Sequence, residues 1–239
     1  MTITLVRLYH DLLGTYGDQG NAEVLCHRIA GRGLSCDLVE VSPGDAVPTS
    51  GDIYLIGGGE DGPQLAALEM LAADGGLSRA VEAGAAVLAV CAGFQLIGTE
   101  LPGRQGRTTA GLGLVDARTL YTNDPRSVGE VLARCGSDMG GEPLLTGFEN
   151  HQGRTELGAG MQPLADVLRG VGNGMPCVGH ERPEGVRHGR IFGTYLHGPV
   201  LARNPQLADT IITSVAGDLP EFHDEWAQAL AAARRDAVS

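Results

Sequence analysis

A chain of 239 residues with 29 acidic and 17 basic side chains carries a formal net charge of −12, which excludes a polyanionic partner held by a basic face. With 43% hydrophobic and 19% charged residues it has the balance of a globular protein able to bury a sizeable core. No apolar run approaches the ~20 residues of a membrane span, and Met1–Tyr9 shows no cleavage signature, so a cytoplasmic protein is expected.

Ile3–Tyr9 reads as a strand, followed by a polar Gly-rich loop over Asp11–Gly20. Asn21 is placed to cap a helix reaching Ala30, with Val24, Leu25 and Ile29 on one face. Leu34–Val41 is a second strand, and the apolar IYLI at Ile53–Ile56 is a third, stopped by Gly57–Gly59. Gln64–Ala73 and Leu77–Ala83 read as helices, and AVLAV at Ala86–Val90 as another buried strand. Apolar strands alternating with helices predict a mostly parallel central sheet flanked by helices, an α/β fold.

Beyond Gly103 glycine becomes dense, and the short runs Ala117–Thr122, Val128–Arg134 and Leu144–Glu149 predict extra antiparallel strands. Ile191–Leu196 is a strand ending at His197, Pro205–Val215 an amphipathic helix, and Glu221–Ala237 a final Ala-rich helix. Phe222, Trp226 and Leu230 on that last helix offer an apolar face, for a partner or for packing on the same domain. With no internal repeat or linker, one domain over 1–239 is expected, residues 220–239 being a C-terminal helical extension.

The five cysteines, Cys26, Cys36, Cys91, Cys135 and Cys177, are odd in number and widely spaced. Without a CxxC pair they predict neither a disulfide framework nor a zinc site. Most are expected to be small buried hydrophobes in a reducing compartment. No His/Cys/Asp cluster has ligand spacing, so no metal is expected.

Cys91 differs in context. In AVLAVCAGFQLIG a strand runs into Cys91, and the small Ala92 and Gly93 open a helix. That strand-to-helix turn is where α/β enzymes hold nucleophiles, because the helix N-terminus favours a thiolate and its free N–H groups can hold an oxyanion. Taken alone, a cysteine after a strand is read first as a buried small residue capping it, and the context has to shift that reading. The Gly57–Gly59 turn adds backbone N–H groups, and GTYLHG at Gly193–Gly198 presents His197 at a strand end. Together the three segments supply a nucleophile, a base and an oxyanion site.

GGGEDGPQ, AVCAGFQLIG and GTYLHGP resemble the three signature segments of class I glutamine amidotransferases, in the cobyric-acid-synthase-like branch, in the same order. LYHDLLGTYGDQGN and GFENHQGRT narrow the likeness to the glutaminase subunits of lipid II isoglutaminyl synthases. The resemblance implies hydrolysis of L-glutamine, with Cys91 as nucleophile, His197 as base, and Gly58 and Ala92 supplying the oxyanion hole. Arg126, in TNDPRSVGE, matches an arginine that holds substrate glutamine; a guanidinium pairs bidentately with a carboxylate, although a solvated loop arginine fits the sequence too.

Many members of the class have Glu two residues after the histidine, where this chain has Pro199. The group that orients the imidazole must therefore come from elsewhere. Asp18, in TYGDQGN, is the first choice and Glu149 the second, while an ordinary turn residue fits Asp18 equally. Asn150 and His151 are motif residues, Asn150 with a contact near the substrate; His180 and His188 read as surface residues.

The resemblance further implies that the ammonia serves amidation of the D-glutamate of lipid II. That step needs an ATP-activated carboxylate, yet the chain has no GxxxxGK[ST] motif and no lysine at all. No cofactor is therefore expected on this chain. ATP and magnesium are expected on a separate MurT-like subunit of the Mur-ligase family, the two forming a heterodimer without direct membrane insertion. A glutaminase of another amidation such as that of cobyrinate, a non-catalytic module on the same fold, and a thiol peptidase are the competing readings.

Overall fold

The computed structural model describes residues 1–136, 139 and 144–238. A six-stranded sheet forms its centre, built from β1 (Thr2–Leu8), β2 (Ser35–Val41), β3 (Ile53–Ile56), β4 (Ala86–Val90), β13 (Val186–His188) and β14 (Ile191–Thr194). The order is β13-β14-β4-β3-β1-β2, parallel throughout except for β13. β3 and β4 are buried along their whole lengths, as strands covered on both faces must be, and this is why they read as unbroken apolar runs. Each fully buried Leu, Ile or Val contributes about 1.5–3 kcal/mol.

Helices α1 (Gly20–Ala30), α5 (Val200–Arg203) and α6 (Pro205–Ala216) cover one face, and α2 (Asp61–Asp74), α3 (Gly76–Glu82) and α4 (Ala92–Ile97) connect β3, β4 and the second half of the chain. Between α4 and β13 lie two four-stranded sheets, in the order β10-β7-β5-β6 and β12-β11-β8-β9. Their strands are β5 (Glu100–Pro102), β6 (Thr108–Ala110), β7 (Ala117–Tyr121), β8 (Ser127–Cys135), β9 (Leu144–His151), β10 (Gly153–Leu157), β11 (Ala165–Arg169) and β12 (Pro183–Glu184). All pairs but β5–β7 are antiparallel, as expected.

Three sequence expectations are corrected. Asn21 does not cap α1: it is buried inside the helix, and its Oδ1 accepts a hydrogen bond from the Leu201 N–H at 3.0 Å, fastening α1 to α5. β14 ends at Thr194, because His197 leaves the sheet to pair with Phe148 of β9 in an isolated antiparallel bridge. Cys26 and Cys36 form a disulfide with Cα atoms 5.4 Å apart. The turn after α1 folds the helix back onto β2, a juxtaposition that cysteine spacing does not reveal; closing so short a loop contributes about 2–3 kcal/mol.

The C-terminal helix α7 begins at Glu225 and runs to Val238, so Phe222 precedes it. The Phe222 ring lies 5.4 and 5.3 Å from the guanidinium carbons of Arg28 and Arg32, and Asp224 meets His27 at 3.0 Å. Phe222 thus packs on its own domain, while Trp226 and Leu230 face solvent. Among the described residues no helix is long and apolar enough to cross a membrane.

Candidate active site

The C-terminal ends of β1, β3, β4 and β14 converge, and each delivers one part of the site. Cys91 follows β4 with φ 51° and ψ −103°, the left-handed side of backbone space, which costs a non-glycine residue roughly 1–3 kcal/mol. The surroundings enforce it. The Cys91 N–H donates to the Thr194 carbonyl at 2.8 Å, its own carbonyl accepts from the Gln95 N–H at 3.0 Å, and Gly93 donates to the Gly57 carbonyl at 3.2 Å. Gly93 has to be glycine, since a Cβ there would lie 2.6 Å from the Ile56 carbonyl oxygen. The sulfur is buried, with 8% of the residue exposed.

His197 is fully buried, and its Nδ1 donates to Asp18 Oδ2 at 2.9 Å. A carboxylate only accepts, so Nδ1 carries the proton and Nε2 is left for chemistry. Nε2 is buried without a hydrogen-bond partner, and the Cys91 sulfur is among the groups that act on the ring. Burial acts to lower the His197 pKa, but the hydrogen bond to Asp18, the Cys91 sulfur and the Asp18 charge outweigh it and raise the value to about 10. The arrangement therefore holds an imidazolium beside the sulfur.

Asp18 Oδ2 also accepts the Gly58 N–H at 2.8 Å. This corrects the expectation of a free oxyanion donor: the amide of Gly58 is spent on Asp18, which it orients. Gly58 is required there because a Cβ would sit 2.5 Å from His197 Cε1. The turn Thr15–Gly17 between β1 and α1 brings Asp18 into place, its Thr15 N–H donating to the Gly58 carbonyl at 3.1 Å. Ala92, the other expected oxyanion residue, opens α4 directly after Cys91 and is buried. Glu149 is not the orienting group; its carboxylate accepts from the Val171 and Gly172 N–H groups at 2.9 Å and faces His151 at 3.4 Å.

Arg126 precedes β8 and lies at the exposed rim. Its Nε donates to Asn150 Oδ1 and its Nη2 to the Asn150 carbonyl at 3.2 Å, while Asn150 Nδ2 donates to the hydroxyl of Tyr16. The Tyr16 ring lies 4.9 Å from the His197 ring. Arg126 and Asn150 thus join the Cys91–His197–Asp18 group through one side chain, Tyr16, which the sequence reading did not single out. A buried arginine, Arg154, fixes the approach by donating to the Pro125 carbonyl at 2.8 Å.

Other groups behind the sulfur escaped sequence reasoning as well. Tyr195, fully buried, receives a hydrogen bond from Gln95 at 3.2 Å, shares one with Thr155 at 2.6 Å and stacks on His151 at 3.8 Å between centroids. Gln64 donates to Gln95 Oε1 at 2.8 Å, extending the network to α2. Glu184, with no solvent exposure, accepts from the Thr194 hydroxyl and from the Tyr195 N–H at 3.0 Å, and burial pushes its carboxyl up to about 7. Their signal was membership of the quoted motifs: Gln64 in GGGEDGPQ, Gln95 in AVCAGFQLIG, Thr155 in GFENHQGRT, and Thr194 and Tyr195 in GTYLHGP, while Glu184 lies in none of them. His180 meets Asp166 at 2.8 Å, and His188 is exposed. Among the described residues no three ligating side chains are grouped to hold a metal.

The chain matches the CobB/CobQ-like glutamine amidotransferase domain over residues 5–205. It is 33% identical to the lipid II isoglutaminyl synthase (glutamine-hydrolyzing) subunit GatD of Streptococcus pneumoniae, over 99% of this chain and 92% of that protein. The GatD subunit of Staphylococcus aureus is 32% identical over 88% of this chain and 83% of its own. A cobyric acid synthase of Rhodobacter capsulatus is 31% identical, but over 67% of this chain and only 32% of the larger protein. Among solved structures, a glutamine amidotransferase superposes with a TM-score of 0.57 at 20% identity, covering 88% of this chain and 98% of that one. A glutamine amidotransferase of Thermotoga maritima gives 0.55 at 12% identity, covering 98% of this chain and 90% of that one. Motifs, fold and relatives agree, and the chain belongs to the CobB/CobQ-like family of glutamine amidotransferases.

Proposed function

We propose that this chain hydrolyses L-glutamine through Cys91 and passes the ammonia to a separate ATP-dependent subunit that amidates the D-glutamate of lipid II. The observation that supports it most is the alignment of Asp18, His197 and Cys91, with Asp18 on Nδ1 and the sulfur beside the ring. The thiolate of Cys91 attacks the side-chain amide carbon of glutamine, and the negative charge on the former carbonyl oxygen is met by the N–H of Ala92. His197, charged in the resting site, gives its Nε2 proton to the amide nitrogen, which leaves as ammonia. Water then attacks the γ-glutamyl thioester as His197 takes its proton, and collapse frees glutamate and the thiolate. Asp18, hydrogen-bonded to Nδ1, holds the tautomer and orientation of the ring.

Arg126, bound by Asn150 at the rim, receives the α-carboxylate of glutamine. The proportions of the relatives support a stand-alone glutaminase subunit: the chain spans 92% and 83% of two GatD subunits but 32% of a cobyric acid synthase. The chain has no lysine for a P-loop, so carboxylate activation is assigned to a Mur-ligase-family partner of the MurT type, with its ATP and magnesium.

The test is ammonia release from L-glutamine, by this chain alone and with such a partner. Cys91→Ala should reduce it by at least about 10⁴-fold with the fold intact, and retained turnover would overturn the nucleophile. Glutamine hydrolysis without amidation of lipid II by the reconstituted pair would remove the pathway and leave the glutaminase.

A further inference from the structure

Tyr16 lies in the LLGTYGDQGN segment two residues before Asp18 and has no part in the proposed hydrolysis. It sits at φ 57° and ψ 21° inside the Thr15–Gly17 turn, a left-handed backbone that a bulky side chain adopts only where its surroundings hold it. Its residue surface is 49% exposed, so burial does not account for the strained placement. The ring leans on His197 at 4.9 Å and on Phe148 at 5.8 Å, and the hydroxyl accepts a hydrogen bond from Asn150 Nδ2.

That bond leaves the phenolic proton of Tyr16 as a free donor. Arg126 is in the same position. Its Nε and Nη2 are bound by Asn150, its Nη1 is not, and no carboxylate of the described residues pairs with it. One asparagine side chain therefore holds two donors at a half-open rim beside the imidazole, one charged and one neutral, both lacking an anionic acceptor.

We propose that Tyr16 is a substrate-binding residue: its O–H, aligned by Asn150, joins Arg126 in grasping the α-carboxylate of glutamine and sets the preference for a free α-carboxylate. This rests on the glutaminase reading. The ring contact with His197 fixes the carboxylate subsite relative to the base, so the three-carbon arm of glutamine directs its amide toward Cys91. A hydrogen bond to a charged group contributes enough that its loss weakens binding at least about tenfold.

The experiment measures kcat and KM of the full chain with its partner subunit for L-glutamine and for glutaminamide, whose α-carboxylate is replaced by a neutral amide. Tyr16→Phe keeps the ring and removes only the hydroxyl. The KM for glutamine should rise about tenfold with kcat within about twofold, and the preference for glutamine over glutaminamide should fall by the same factor. Alkylation of Cys91 by iodoacetamide, which has no carboxylate, should keep its rate and so certify an intact site. An unchanged KM and preference in Tyr16→Phe, or a loss confined to kcat, would overturn the assignment. If Arg126→Ala raises KM while Tyr16→Phe does not, this inference alone falls. If the wild-type chain with its partner hydrolyses no glutamine, the glutaminase reading falls and takes this one with it.

Discussion

The parallel and antiparallel parts of the molecule contribute differently to the site. Cys91, His197, Asp18 and Gly58 gather at the carboxyl ends of parallel strands, where backbone and side chains are buried and each polar atom has few alternatives. Arg126 and Asn150 come from the antiparallel part, at the exposed rim, held by each other and by Tyr16. The buried group can hold an imidazolium beside a sulfur because the Asp18 hydrogen bond and charge and the sulfur outweigh the cost of burial. The rim bonds lie at exposed positions, open to competition from solvent and from the proposed amino-acid substrate. The proposed chemistry thus falls to the buried half and the proposed recognition to the exposed one.

Breaking the buried half should cost the most. Asp18→Asn removes the main support of the raised His197 pKa, and kcat should fall by about 10³–10⁴-fold with KM little changed. The sign of the pH effect follows. Wild-type His197 stays protonated until pH approaches about 10, so proton donation to the leaving ammonia fails only there. In Asp18→Asn the descending limb of the kcat/KM profile should move at least one unit lower. A limb that stays in place would separate Asp18 from the base.

Glu184 tests the buried half through stability. Burial raises its carboxyl from 4.5 to about 7, so the folded state binds its proton more tightly than the unfolded chain. The associated stabilisation is complete below pH 4.5 and is lost as pH rises through 7, amounting to about 3 kcal/mol. Glu184→Gln should flatten that pH dependence when unfolding by urea is compared at pH 5 and pH 8. An unaltered slope would place the titration elsewhere.

The rim should give the smallest effect and on another parameter. Arg126→Ala is expected to raise the KM for glutamine about ten- to a hundredfold, with kcat reduced much less. A collapse of kcat with unchanged KM would contradict the division between the two halves.

Local sequence determined the parts whose physics is local. The unbroken apolar runs Ile53–Ile56 and Ala86–Val90 are legible as buried parallel strands to the residue, because burial on both faces leaves no other composition. Cys91 is legible only in company: a thiol between such a strand and Ala92-Gly93 also fits a buried strand cap, and the Gly57–Gly59 turn and the strand-end His197 set it apart. The antiparallel part was legible only as strand-like runs, since β5, β6 and β11–β13 are held by pairing rather than by their own pattern.

Tertiary structure decided everything that depends on distant segments meeting. His197 and Asp18 are 179 residues apart, and only the order of the sheet brings them to 2.9 Å. The same closure gave the Gly58 amide to Asp18, joined Cys26 to Cys36, and set Tyr16 between the imidazole and Asn150. A hydrogen bond spans about 3 Å whatever the separation along the chain, so spacing and composition could nominate these residues singly but only the fold could pair them.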